Sequence, residues 1–306
     1  MSLLLLTACS APSEPGAQSG EALKGPSGKV VVALTGQTTS TVDPALQGGA
    51  SDFINLEPLY NRLTETAKEN AYLREPSVAI KWSISPDGRT VEFQIRKGIR
   101  FHNGDELTPE DVVFTVERVQ RMGAPSNLIY YARNLDSVQA SGDSVVFKLK
   151  EPDWTVITAL SSSASSIVPK KYIEKVGDDG FLKAPVGTGP FKFVSWSKQE
   201  YLDLAAVDYE HFLWQPGVKQ LRYVIVPEET TRLAMVKTGE ADLAQASVIS
   251  MKSHCRGTTP SGPSGSPTSE AWCSFMFGHV DPSNPLSKLE LRQALSSDFR
   301  YYNDVY

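Results

Sequence analysis

The sequence predicts an α/β protein, and three stretches carry that reading. Lys29 to Leu34 (KVVVAL) is a short β-branched run, as expected of a strand buried on both faces. After the Pro86-Asp87-Gly88 turn, Val91, Phe93 and Ile95 alternate with Glu92, Gln94 and Arg96, the period of a half-buried strand. Ile99 and Phe101 repeat the alternation before a second turn at Asn103-Gly104. A helix then opens at Thr108, a good N-cap, with Pro109 at the first helical position and Glu110 and Asp111 at the positive end of the dipole. Val112, Val113, Val116 and Val119 form its apolar stripe, and Arg118 and Arg121 fall in the last turn before Gly123.

Bulk properties narrow the class without naming a function. The chain has 306 residues, enough for about two domains, with 41% hydrophobic and 21% charged residues, as in ordinary soluble globular proteins. A net charge of −5 leaves no basic excess for neutralising phosphates, which argues against a nucleic-acid partner. Cys9, Cys255 and Cys273 are too few and too scattered for a disulfide framework or a zinc site. Two readings of Cys255 and Cys273 stay open, a bridge and two free thiols.

At the N-terminus, MSLLLLTACS reads as the end of an export signal. Leu6-Thr7-Ala8-Cys9 has the form of a lipobox, in which cleavage before Cys9 leaves that residue to carry a lipid. It lacks a basic n-region, and Leu3 to Leu6 is short for an apolar core; a start placed too late explains both, and an apolar tail is the other reading. Residues 10–28, rich in Ser, Pro, Gly and Ala, read as a flexible tether.

Further along, Thr35 to Leu46 is a polar loop ending at Asp43-Pro44, and Phe53 to Glu65 reads as a short helix with Ile54, Leu56, Leu59 and Leu63 inward. Leu135 to Leu149 alternates as a strand pair around Gly142-Asp143. Leu202 to Leu204 and Leu221 to Val226 read as strands, and Glu229 to Leu243 as a helix with Leu233, Met235 and Val236 partly inward. Residues 252–269 are of low complexity, without periodicity.

Nothing in the sequence argues for an enzyme, a cofactor or a resident metal. His102, His211, His254 and His279 have no partners at metal-ligand spacing. His102, with Asp105 and Glu106 nearby, reads as a hydrogen-bonded loop histidine before a metal ligand. Gly187-Thr188-Gly189 lacks the Lys-Ser/Thr and the helix of a phosphate loop. Glu110 and Asp111 serve the helix dipole, and no Gly-x-Ser-x-Gly elbow accompanies a triad.

One long ungapped stretch adds a resemblance. WSISPDGRTVEFQIRKGIRFHNGDELTPEDVVFTVER, from Trp82 to Arg118, resembles the signature block of the family 5 extracellular solute-binding proteins, the oligopeptide, dipeptide and nickel receptors of ABC importers. EPLYNRLTE from Glu57, PVGTGPFKFVSW from Pro185 and TGEAD from Thr238 resemble further family segments. The resemblance is good over residues 29–250 and poor over 270–306.

The resemblance implies a periplasmic binding protein-like fold of type II, the peptide-binding class. It implies a first lobe from residues 29–55 and 185–250, with a small α/β domain inserted at 56–184. Residues 1–9 would be a lipoprotein signal remnant, 251–269 a low-complexity segment following a shifted frame, and 270–306 the start of a truncated, incomplete second lobe. It places Gln37, Thr38, Thr39 and Ser40 near ligand, an ordinary solvated loop being the other reading, and Gly187, Thr188 and Gly189 at the crossover or hinge. Independently of the resemblance, Tyr130 and Tyr131 have two readings, one of them reaching a ligand cleft or both packing under the sheet.

The implied function is capture of oligopeptides or dipeptides outside the cytoplasmic membrane and delivery to an ABC permease by hinge closure. The receptor would be exported, held to the membrane through Cys9, and monomeric. The alternatives are a secreted hydrolase on a related α/β scaffold and a gene fragment that does neither. With one lobe incomplete, the chain as written is expected to bind its ligand weakly.

Overall fold

The computed structural model describes residues 28–35, 41–47, 52–67, 70–122, 133–246 and 274–277. Its first part runs β1 (Lys29–Leu34), α1 (Phe53–Leu56), β2 (Thr64–Ala67), β3 (Asn70–Pro76), β4 (Ala79–Ile84), β5 (Thr90–Ile95) and α2 (Pro109–Met122). Next come β6 (Leu135–Ser141), β7 (Ser144–Leu149), α3 (Val156–Ala159) and α4 (Lys170–Lys183). The last part is β8 (Phe191–Ser197), β9 (Tyr201–Ala206), β10 (Gln220–Ile225), α5 (Glu229–Thr238), β11 (Leu243–Ala246) and β12 (Ser274–Phe277).

Two sheets carry the architecture. The larger has six strands in the order β12-β11-β1-β10-β9-β8. β1 is parallel to both its neighbours, with Lys29 to Leu34 in register with Gln220 to Ile225 on one side and Val32 opposite Leu243 on the other. A strand between parallel partners is covered on both faces, which is why KVVVAL shows no alternation. On one face α5 packs Val236 against Ala33 and Ala244. The second sheet is antiparallel, β4-β5-β7-β6, and β2 pairs with β3 as a separate hairpin.

Each sheet has its own core, and α2 serves both. Phe93 of β5 meets Phe147 of β7 edge-on at 5.5 Å, and Val112, Val116 and Val119 of α2 close over the same cluster. Burying each such ring contributes about 2–3 kcal/mol. Phe114, on another side of α2, packs instead with Leu34, Leu56, Leu59, Leu202, Leu204 and Phe181 beneath the six-stranded sheet.

The expected helix over Phe53 to Glu65 stops at Leu56, and the chain is a strand by Thr64. The reason is tertiary. The carbonyls of Pro58 and Leu59 accept from Phe191 N–H and Gly189 N–H, so this backbone is used for pairing and cannot close helical turns. Likewise the helix expected to reach Leu243 ends at Thr238, followed by Gly239. α4 is two helical pieces that meet at a kink at Gly177, where φ is 73°.

Candidate functional site

The C-terminal ends of β10, β1 and β11 lie side by side, the edge of an open α/β sheet where ligands characteristically bind. The polar loop after β1 leaves from this edge, and its two roots are held by different means. At the exit from β1, Thr35 N–H donates to Gln245 Oε1 of β11 at 3.1 Å. Gln245's own carbonyl accepts from Arg232 Nε of α5 at 2.7 Å, and Arg232 Nη1 also donates to the carbonyls of Val226 and Pro227 just after β10. All three strand ends are tied together by one buried arginine and one buried amide.

The far root is an ionic seam. Asp43 is 1% exposed and so is Arg118 of α2. Arg118 grips both carboxylate oxygens of Asp43, at 2.8 and 2.5 Å, and its Nε donates to Asp178 of α4 at 2.8 Å. Asp43 Oδ1 also accepts from Ala45 N–H, and Tyr60 OH donates to the carbonyl of Val42 at 2.8 Å. Burial, with Asp43 nearby, pushes the Tyr60 hydroxyl well above its usual pKa, so it remains a donor. A bidentate guanidinium–carboxylate pair carries direction as well as charge.

Asp111, at the third position of α2, accepts from Thr108 N–H and Thr108 Oγ with one oxygen and from Lys170 N–H with the other. The Thr108 side chain therefore donates to the helix's own carboxylate, and Asp111 caps both α2 and the start of α4.

A second, uncharged seam lies where the chain returns from the four-stranded sheet. Gly187-Thr188-Gly189 runs against Pro58, Leu59 and Tyr60, with Gly189 N–H donating to Leu59 O at 2.9 Å and Phe191 N–H to Pro58 O at 3.0 Å. A Cβ on Gly187 would overlap the Leu59 carbonyl, and one on Gly189 the Pro58 carbonyl. Only glycine allows backbones this close. Thr188 Oγ donates to Asn61 Oδ1 at 3.1 Å.

Two histidines flank these three residues. His102 Nδ1 accepts from Gly187 N–H at 3.2 Å, and its Nε2 donates to Gly189 O at 2.9 Å. His102 N–H further donates to Gly187 O at 2.8 Å. His211 Nε2 donates to Thr188 O at 2.9 Å, with Asn61 Oδ1 at 3.3 Å, while its Nδ1 faces the N–H groups of Leu213 and Trp214. Burial pushes His102 down from 6.5 to about 4 and lowers His211 as well.

Of the residues singled out in the sequence, Gly187, Thr188 and Gly189 sit together in this seam. Gln37, Thr38, Thr39, Ser40, Tyr130, Tyr131 and Cys9 lie outside the described residues. Sequence reading missed Gln245, Arg232, Asn61, His211, and the pairing of Arg118 with Asp43. One signal was available: Arg118 stands seven residues after Asp111, on the buried side of an amphipathic helix, where a charge needs a partner. Among the described residues no group of three or more His, Cys, Asp or Glu could hold a metal. The ring nitrogens of His102 and His211 are spent on backbone and on Asn61, so neither is poised to activate a serine or cysteine.

The open, partly parallel sheet with helices packed on it is an α/β fold, and its likeness to solved peptide-binding proteins makes it periplasmic binding protein-like, of the type II peptide-binding kind. The chain belongs to the bacterial extracellular solute-binding proteins, family 5, whose model matches residues 74–297, more than half of its length. Heme-binding protein A of Haemophilus influenzae is 30% identical over 264 residues, covering 78% of this chain and 48% of that protein. The oligopeptide-binding protein AppA of Bacillus subtilis is 31% identical over 254 residues, covering 78% of this chain and 44% of AppA. Among solved structures, the ABC transporter-associated periplasmic binding protein DppA from Helicobacter pylori, in complex with the peptide STSA, superposes with a TM-score of 0.67 at 26% identity, over 74% of this chain and 48% of DppA. The chain spans about half the length of the relatives it matches.

Proposed function

We propose that this chain is part of the solute-capturing receptor of an ABC importer, taking oligopeptides or dipeptides outside the cytoplasmic membrane and passing them to a permease. The observation that carries this reading is the polar loop after β1. It springs from the C-terminal edge of three neighbouring strands and is rooted at one end by Gln245 and at the other by Arg118. In this proposal the amide of Gln37 and the hydroxyls of Thr38, Thr39 and Ser40, all outside the described residues, bond a peptide backbone, which demands no side-chain sequence. Tyr130 and Tyr131, also outside the described residues, are proposed as further contacts. The names of AppA and DppA support a peptide ligand.

On this reading residues 29–55 and 185–250 form the first lobe, and residues 56–184 are a domain inserted into it. Closure of two lobes over the ligand does the work, with no covalent step, no cofactor and no catalytic residue. The receptor acts as a monomer, exported and held to the membrane by a lipid on Cys9. Engagement of both flanking histidines with backbone supports a receptor over a hydrolase.

The test is incubation of the chain with a defined mixture of di- to pentapeptides, followed by mass spectrometry of bound and free fractions and an NMR titration. Weak retention of intact peptides, with shifts concentrated at Thr35, Thr41, Asp43 and Gln245, is expected. Peptide cleavage, or shifts confined to the four-stranded sheet, would overturn the reading.

A further inference from the structure

The seam at Gly187-Thr188-Gly189 has a property that its hydrogen bonds alone dictate. A backbone N–H can only donate and a backbone carbonyl can only accept. His102 Nδ1 faces the N–H of Gly187 and must be unprotonated; its Nε2 faces the carbonyl of Gly189 and must carry the proton. His211 obeys the same rule, with Nδ1 toward the N–H groups of Leu213 and Trp214 and Nε2 toward the carbonyl of Thr188. Both rings are thus the same neutral tautomer, and both grip one three-residue crossover. A second proton on either ring would set N–H against N–H.

We infer that His102 and His211 form an acid-operated latch: while both rings are neutral they hold the crossover, and with it the four-stranded sheet, against the six-stranded sheet, and protonation at Nδ1 releases it. The crossover is the point where the chain re-enters the large sheet, one residue before β8, and it lies against the segment 58–60 by which the chain left. Freeing these residues loosens both connections at once.

The groups around the rings reinforce the polarity of the switch. The charged or titratable groups facing His102 are Lys192 of β8, which stands 3.8 Å from Asp208, and His211 itself; both raise the cost of a positive charge on His102. On the far side Arg96 lies 5.6 Å from the ring centre of Phe212, which stacks on His211 at 4.7 Å. Tyr60 stands beside Gly187 and brings no charge. Among the described residues no carboxylate hydrogen-bonds to either ring. Burial and these neighbours keep the latch shut at neutral pH and place its opening on the acid side. A receptor outside the cell meets the pH of the medium directly. The inference rests on the described hydrogen bonds and is independent of which solute is bound.

The experiment is amide hydrogen exchange on the whole chain, corrected for intrinsic pH dependence, between neutral pH and pH about 4. In the native protein the amides of Gly187, Gly189 and Phe191 should lose about tenfold or more of their protection, while Phe93 and Phe147 keep theirs within about twofold. The midpoint should coincide with imidazole titration followed by NMR in the same sample. In H102Q the glutamine amide can still accept from Gly187 and donate to Gly189 but cannot take the proton, so the acid response should shrink. H211Q should do the same in part and serves alone if H102Q does not fold. Equal acid responses in native and variant proteins, no loss of protection by the end of the titration, or loss shared equally by β5 and β7 would each overturn the latch.

Discussion

Two seams join the four-stranded sheet to the six-stranded one, and they are built from opposite chemistry. One is ionic: Arg118 of α2 binds Asp43 at the root of the β1 loop and Asp178 of α4, with Arg118 and Asp43 both 1% exposed. The other is neutral: His102 and His211 bind backbone at Gly187 to Gly189, with Asn61 fully buried against His211 and Thr188. A buried ion pair fixes geometry at a large desolvation cost, and removing one partner leaves a charge with nothing to offset it. A buried neutral imidazole costs less to install but adds a proton-sensitive point. The difference teaches that the loop root is held by direction and charge, while the crossover is held by close approach and protonation state.

Removing Arg118 is the largest perturbation expected. Arg118→Ala should lower stability by about 3–5 kcal/mol, because Asp43 then remains buried without its guanidinium. Denaturant unfolding at neutral pH checks it, and a loss under about 1 kcal/mol would mean the seam does not hold the root.

The matching break in the neutral seam is steric. Gly187→Ala must displace the Leu59 carbonyl, and a cost of about 2–4 kcal/mol is expected from overpacking and lost pairing with segment 58–60. Normal thermal unfolding of that variant would show that the backbones part easily.

A pH titration of stability compares the seams without mutation. His102 has its folded pKa depressed from 6.5 to about 4, so its contribution is fully present above 6.5 and is lost as pH falls through that window. The loss from this ring is at most about 3 kcal/mol, and it should be reduced in H102Q. Two carboxyls oppose the trend: burial raises both Glu65 and Asp111, so their folded forms favour the proton and gain relative stability as the medium acidifies.

Smaller effects sharpen the boundary of the ionic seam. Thr108→Ala, which removes the 2.9 Å bond to Asp111 Oδ2, should cost about 1 kcal/mol in thermal unfolding. Lys97→Ala, breaking the exposed pair with Asp143, should cost under about 0.5 kcal/mol and nothing at high salt. A larger loss at Lys97 than at Arg118 would invert the comparison.

Much of the fold was legible because local patterns and tertiary packing agreed. β1, β5 and α2 follow from a β-branched run, an alternation and a capped stripe, and each has the burial its pattern implies. Phe53 to Glu65 misled, since its apolar spacing is helical but its backbone pairs with a segment about 130 residues away. Residues 170–183 carry no single helical pattern because Gly177 kinks the chain there, which hides Asp178. The glycines of the crossover were readable through resemblance, but their partners were not. His102 and Gly187 are 85 positions apart, His211 and Asn61 are 150, and a single histidine leaves no periodic trace. Arg118 was the exception: a charge on a buried helix face announces that a counter-charge exists, though not where.

Nitrogen NMR of the two imidazoles at neutral pH tests the contrast between the seams most directly. Both rings are expected to be neutral with the proton on Nε2, and His102 to remain so until the pH approaches about 4. A proton on Nδ1 of either ring at neutral pH, as the other tautomer or as imidazolium, would contradict the neutral seam.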